Sequence, residues 1–82
     1  MYQILIEKRA AKFISKQPKP AQARLLTAIR LLPQGDIKPL KGNDGVYRLR
    51  VGDYRVLYTV DNGRLIICVI DAGNRGEVYN RY

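Results

Sequence analysis

From Gly45 onward the hydrophobic pattern runs at period two and is cut twice by turn dipeptides, Gly52-Asp53 and Asn62-Gly63. Alternation of that kind is the signature of a half-buried strand, because successive side chains leave a strand on opposite faces. Glycine leading a two-residue loop suits a type II′ turn, and Asn-Gly is the strongest short hairpin signal. The stretch predicts three strands, 45–51, 54–60 and 64–71, folded as an antiparallel meander. Few arrangements accommodate that meander, because one of its faces must be covered.

The first half of the chain supplies the cover. All four prolines lie at or before Pro39. Residues 2–7 alternate Tyr2, Ile4 and Ile6 against Gln3, Leu5 and Glu7, which predicts a first strand. Residues 8–17 carry Ala10, Phe13 and Ile14 at helical spacing, with Lys8, Lys12 and Lys16 on another face. Pro18-Lys19-Pro20 ends that helix, and Pro20 fits the first turn of the next. Ala21, Leu25, Ala28, Ile29 and Leu32 form one apolar stripe before the stop at Pro33-Gln34-Gly35-Asp36. The expected fold class is α+β, in the order β-α-α-β-β-β: an antiparallel sheet packed on a helical hairpin.

Eighty-two residues make one domain, spanning 1–82. Fifteen Lys plus Arg against seven Asp plus Glu give a net charge of +8. A field of that sign suits a polyanion such as nucleic acid. The helix cations (Lys8, Arg9, Lys12, Lys16, Lys19, Arg24, Arg30) read either as a solvated face or as a docking face for RNA. One cysteine excludes an internal disulfide and a cysteine-based zinc site, and the absence of histidine removes the usual metal ligand and general base. No cofactor and no metal are expected. Residues 2–6 are too short for a signal-peptide core and the apolar run 65–70 too short for a bilayer, so the cytoplasm is expected and no membrane partner.

The turns set what stands beside what. A two-residue loop at Gly52-Asp53 puts Val51 opposite Tyr54 and Arg50 opposite Arg55, and opposed residues share a face. Arg48 joins them, while Tyr47, Leu49, Val51, Tyr54, Val56 and Tyr58 fill the other face, ready for the helices. Like charges directly opposite destabilise a sheet. Asp53 or Asp44 could compensate in part, but a phosphate between the arginines removes the repulsion, since guanidinium forks match its oxygens in pairs. An anion site is the favoured reading.

A two-residue loop at Asn62-Gly63 would then put Ile70 opposite Arg55, and the loop 71–76 would emerge beside the arginines. Arg75 could reach the site from there. Two roles fit Tyr79: a terminal hydrophobic plug, or a base-stacking or proton-handling side chain. Farther along the face, Leu57, Cys68 and Ile66 form an apolar strip, either a groove for an acidic partner's amphipathic segment or a surface the chain itself covers. Cys68 reads as a packed small hydrophobe.

Three stretches carry a resemblance: Leu40-Lys41-Gly42; Val46-Tyr47-Arg48-Leu49-Arg50-Val51-Gly52-Asp53-Tyr54-Arg55-Val56-Leu57-Tyr58; and Asp71-Ala72-Gly73-Asn74-Arg75-Gly76-Glu77-Val78-Tyr79. Together with the element order, they make the chain resemble the RelE/ParE superfamily of toxin–antitoxin toxins over nearly its whole length. The closing arginine and Glu-Val-Tyr tilt the likeness toward RelE-type mRNA interferases. The resemblance implies a RelE-like fold and a metal-independent endoribonuclease that cuts mRNA in the ribosomal A site and inhibits translation. It also implies an acidic RelB-like antitoxin bound in a hetero-oligomer. Arg48 and Arg50 fall where the family has a basic pair, commonly lysines. Arg55 matches the arginine that holds the scissile phosphate, Arg75 the loop arginine at the leaving group, and Tyr79 the tyrosine near the attacking ribose.

Arg50 departs from the family lysine that serves as a candidate base. Arginine stays protonated and makes a poor base. Either Tyr79 handles the proton, or catalysis rests on positioning and charge stabilisation. The rival within the superfamily is a ParE-like toxin that binds and blocks DNA gyrase, and a plain RNA-binding module is a second.

Overall fold

The computed structural model describes residues 2–75 and residue 78. Seven elements follow one another: β1 (Gln3–Ile6), α1 (Lys8–Ser15), α2 (Lys19–Arg30), β2 (Asp36–Pro39), β3 (Val46–Val51), β4 (Tyr54–Asp61) and β5 (Ile66–Asn74). The α+β class and the strand, helical hairpin, meander order agree with the sequence reading. The sheet has one more strand than expected and is mixed, in the order β1-β5-β4-β3-β2. β1 runs parallel to β5, with Ile4 beside Ile67 and Ile6 beside Val69, and the other pairings are antiparallel. The helical hairpin carries the chain from β1 at one edge of the sheet to β2 at the other, and the meander returns to set β5 beside β1.

The helices end where the sequence stops supporting them. The Gln17 side-chain amide donates to Phe13 O at 3.1 Å, and that of Gln22 donates to Gln17 O at 2.7 Å and Ser15 O at 3.2 Å. The Phe13 carbonyl also accepts the Lys16 backbone N–H at 3.2 Å, while the Ser15 carbonyl at the end of α1 is satisfied by the Gln22 side chain. Pro18 is the N-cap of α2, where an absent N–H costs nothing. The Tyr54 hydroxyl donates to Gln17 Oε1 at 3.1 Å, tying the interhelical turn to the start of β4.

Both helices cover the same sheet face. Ala10, Ile14, Leu25, Ile29 and Leu32 pack with Leu49, Val56, Tyr58, Ile67, Val69 and Ala72 into one buried cluster. Tyr47, Val51 and Tyr54 lie against it, so the apolar face read from the first turn is the covered one. Tyr47 stacks on Tyr58 with ring centroids 5.6 Å apart.

The first turn forms as expected, with Gly52 at φ 58. The second does not. Asp61 pairs with Ile66, leaving a four-residue loop. Neither Asn62 nor Gly63 takes the positive φ that a two-residue Asn-Gly turn needs, and Leu65 does, at φ 55. The Asp61 carboxylate accepts the Arg64 backbone N–H at 3.0 Å and faces the Arg64 Nε at 3.0 Å, closing the loop around itself. A bulge between Leu57 and Tyr58 shifts the register again. Gly73, not Ile70, therefore stands opposite Arg55.

Candidate anion-binding face

The sheet face away from the helices carries the arginines, beside the fully buried Leu57 and the buried Gly73. Arg50 lies directly across from Arg55 and Arg48 across from Leu57, as the β3–β4 register requires. The strand missing from the sequence reading adds to this row: Asp36 stands opposite Arg50, and Lys38 opposite Arg48. Asp36 is the acid that compensates the cluster, in place of Asp53 or Asp44. Its carboxylate lies 3.7 Å from Arg48 Nη1 and 3.5 Å from Arg50 Nε. Those distances are long for charge-assisted bonds. Arg50 remains 57% exposed and Arg48 13%.

Arg55 is held differently. Its Nη1 donates to Gly52 O at 2.9 Å and to Tyr54 O at 3.0 Å. A guanidinium has five N–H donors, and two of them sit on Nη1. Among the described residues none accepts the other three. The head is thus fixed on the turn with its remaining edge uncommitted, which is the geometry a bidentate phosphate contact uses. Gly73 across the strand adds no side chain to crowd it.

Arg75 is exposed, and its backbone N–H donates to Asp53 O at 2.8 Å. The loop residue is therefore pinned to the turn that carries Arg55. Among the described residues none fixes the direction of its side chain. Tyr79 lies outside the described residues. Arg24, one of the helix cations, also reaches this turn: a Cβ at Gly52 would sit 2.6 Å from Arg24 Nη2. Glycine is needed there for its φ and for this approach.

The apolar strip is partly closed. Leu57 is fully buried and faces Asp71, not Cys68. Cys68 lies opposite Thr59, and its thiol donates to Glu7 Oε1 at 3.5 Å. Burial, then that bond and the Glu7 charge, push the thiol pKa up, which leaves it a weak nucleophile.

A small basic α+β domain with arginines on the sheet face away from its helices has the outline of the RelE/ParE toxins. The model of the family described as ParE toxin of type II toxin-antitoxin system, parDE, matches residues 7–79, and the chain belongs to that family. Among solved structures it is similar to a chain of the archaeal RelE-RelB complex from Pyrococcus horikoshii OT3, at 29% identity over 93% of this chain and 97% of that one, with a TM-score of 0.75. A chain of the RelB-RelE complex from Methanococcus jannaschii is 26% identical over 95% of this chain and 98% of that one, at a TM-score of 0.74. The isolated E. coli RelE toxin is 25% identical over 99% and 94%, at 0.72. No curated protein sequence matches. The protein is a toxin of the RelE/ParE superfamily of type II toxin–antitoxin systems.

Proposed function

We propose that this toxin is a ribosome-dependent, metal-independent endoribonuclease that cuts mRNA in the A site and is held inactive in the cytoplasm by an acidic RelB-like antitoxin. The observation that carries this reading is the alignment of Arg48, Arg50 and Arg55 on the sheet face away from the helices, with Gly73 across from Arg55 and the Arg75 backbone pinned to the same turn.

The reaction is a transesterification. The ribose 2′-oxygen attacks the adjacent phosphorus, a new P–O bond closes the 2′,3′-cyclic phosphate, and the bond to the 5′-oxygen breaks. The 2′-hydroxyl proton leaves to water or to a Tyr79 phenolate, and water protonates the departing 5′-oxygen. Negative charge grows on the non-bridging oxygens, and Arg55, with Arg48 and Arg50 beside it, stabilises it by charge-assisted bonds already in place. Arg75 contacts the leaving oxygen. Guanidiniums suit this role and not general base work, so in-line placement of the 2′-oxygen falls to stacking by Tyr79 and to the ribosome. Activity on free RNA should be weak for that reason.

A ParE-like block of DNA gyrase is the second reading, favoured by the family model that matches the chain. It needs the fold and the basic surface but neither Arg75 nor Tyr79. Mapping mRNA ends on programmed ribosomes, beside a gyrase supercoiling assay, separates the two.

A further inference from the structure

α1 opens a second basic site away from the arginine face. β1 pairs with β5 only as far as Ile6 and Val69, so beyond that point α1 takes over the flank of β5. Between them lies a groove of about 660 Å³. One wall carries Lys8, Arg9, Lys12, Phe13 and Lys16, and Asp71 lies at its base.

The charges in this groove work against the isolated chain. Lys8 and Lys12 stand at i and i+4 on α1, a like-charge pair that destabilises a helix, and Lys16 follows four residues on as its C-cap. Among the described residues none of the three has an acidic partner. Lys8 and Arg9 open the helix where its dipole favours anions, and the first turn carries no acid. Glu7, the N-cap, makes no side-chain cap and accepts the Cys68 thiol instead. The buried Asp71 carboxylate lies 3.8 Å from the exposed Arg9 Nη1. A repeating anion would relieve the repulsion among the lysines and the uncompensated positive charge at the start of the helix.

We infer that this groove binds the sugar–phosphate backbone of a single RNA strand, as a site separate from the reacting arginines. Successive lysines four residues apart are stepped by roughly 6 Å along the helix, a spacing a phosphate backbone can follow. Phe13 in the wall offers an aromatic surface among the cations, the combination that single-strand sites use. The groove's lining on β5 ends at Asp71 and Ala72, the residues next to Gly73, which stands opposite Arg55, so a strand held here leads toward the arginine face. The inference rests on the RNA reading of that face.

The test measures binding of a non-cleavable 2′-O-methyl RNA strand of about 12 nucleotides against salt concentration. Each phosphate contact to a single strand contributes about −0.7 to the slope of log affinity on log salt. The triple variant Lys8→Ala, Lys12→Ala, Lys16→Ala should flatten the slope by about 2. The control Lys19→Ala, Arg30→Ala, Lys41→Ala removes the same charge from elsewhere and should flatten it by less than about half as much. Thermal melts check that both triples fold, and relief of lysine repulsion should keep the first at or above the wild-type Tm. Equal slopes for the two triples would reduce the groove to net charge and overturn the inference. So would a groove triple that no longer binds a glutamate-rich amphipathic peptide while its RNA slope stays unchanged. A wild-type protein that cuts no mRNA, yet whose RNA slope still depends on the three groove lysines, would uphold the groove and remove the enzyme reading alone.

Discussion

Arg55 on β4 stands directly across from Gly73 on β5. On its other side it faces Arg50. The position opposite the best-anchored guanidinium is thus the one without a side chain. Gly73→Val should place a branched side chain within roughly 5 Å of the Arg55 Cβ and block approach to the guanidinium edge. mRNA cleavage should fall at least tenfold with a native circular dichroism spectrum. Unchanged cleavage would mean that the phosphate does not use this edge.

Arg55→Lys keeps the charge and loses the fork. A lysine ammonium cannot hold Gly52 O and Tyr54 O while offering two further parallel donors. The expected loss in cleavage rate is about 10²- to 10³-fold, the range for removing one preorganised donor. Single-turnover kinetics on ribosome-bound mRNA would measure it, and a rate within a fewfold of wild type would reject the bidentate role.

Asp36→Asn frees Arg48 and Arg50 from their shared carboxylate. Asp36 is half-exposed and its contacts are long, so stability should change by less than about 1 kcal/mol. RNA affinity at low salt should rise and the salt slope steepen by about 0.7 to 1.4, one or two added contacts. A salt titration of RNA binding reads this directly, and weaker binding would show that Asp36 organises the arginines instead of masking them.

The β3–β4 hairpin was legible because one glycine, Gly52, had to adopt a positive φ and everything opposite it followed from counting. The covered face was legible for the same reason. The second hairpin was not. Asn62-Gly63 has the composition of a tight turn, but the Asp61 carboxylate captures the Arg64 amide and moves the turn to four residues. The bulge after Leu57 leaves no mark in composition at all. β2 escaped notice because Asp36–Pro39 is a four-residue edge strand, polar but for Ile37 and ending in proline. Its signature is Ile37 packing inward opposite Leu49, a contact between segments that no local pattern reports. The arginine cluster survived these misses, since Arg48, Arg50 and Arg55 belong to the hairpin read correctly. Asp36 and Lys38 were missed with β2, and Gly73 because β5 runs on to Asn74 where the pattern predicts a loop from Asp71.

Tyr58 gives the fold an alkaline limit. Burial first, and the neighbouring Tyr47 second, raise its pKa from 10.0 to about 12. A raised folded-state value means that the neutral phenol is favoured in the native protein. Its stability contribution is full below pH 10 and is lost as pH rises through about 12, on the order of 2–3 kcal/mol in all. Denaturant melts across that window should show wild type losing stability faster than Tyr58→Phe. Parallel curves would contradict the assignment.

The central claim is that the arginines on the sheet face away from the helices act on a phosphodiester. Its most direct measurement is the mapping of mRNA ends after incubation of the purified toxin with programmed ribosomes. The expected result is A-site cuts bearing 5′-hydroxyl and 2′,3′-cyclic or 3′-phosphate ends, abolished in Arg55→Ala and strongly reduced in Arg75→Ala. Intact mRNA under wild-type toxin, with DNA supercoiling by gyrase lost, would contradict it.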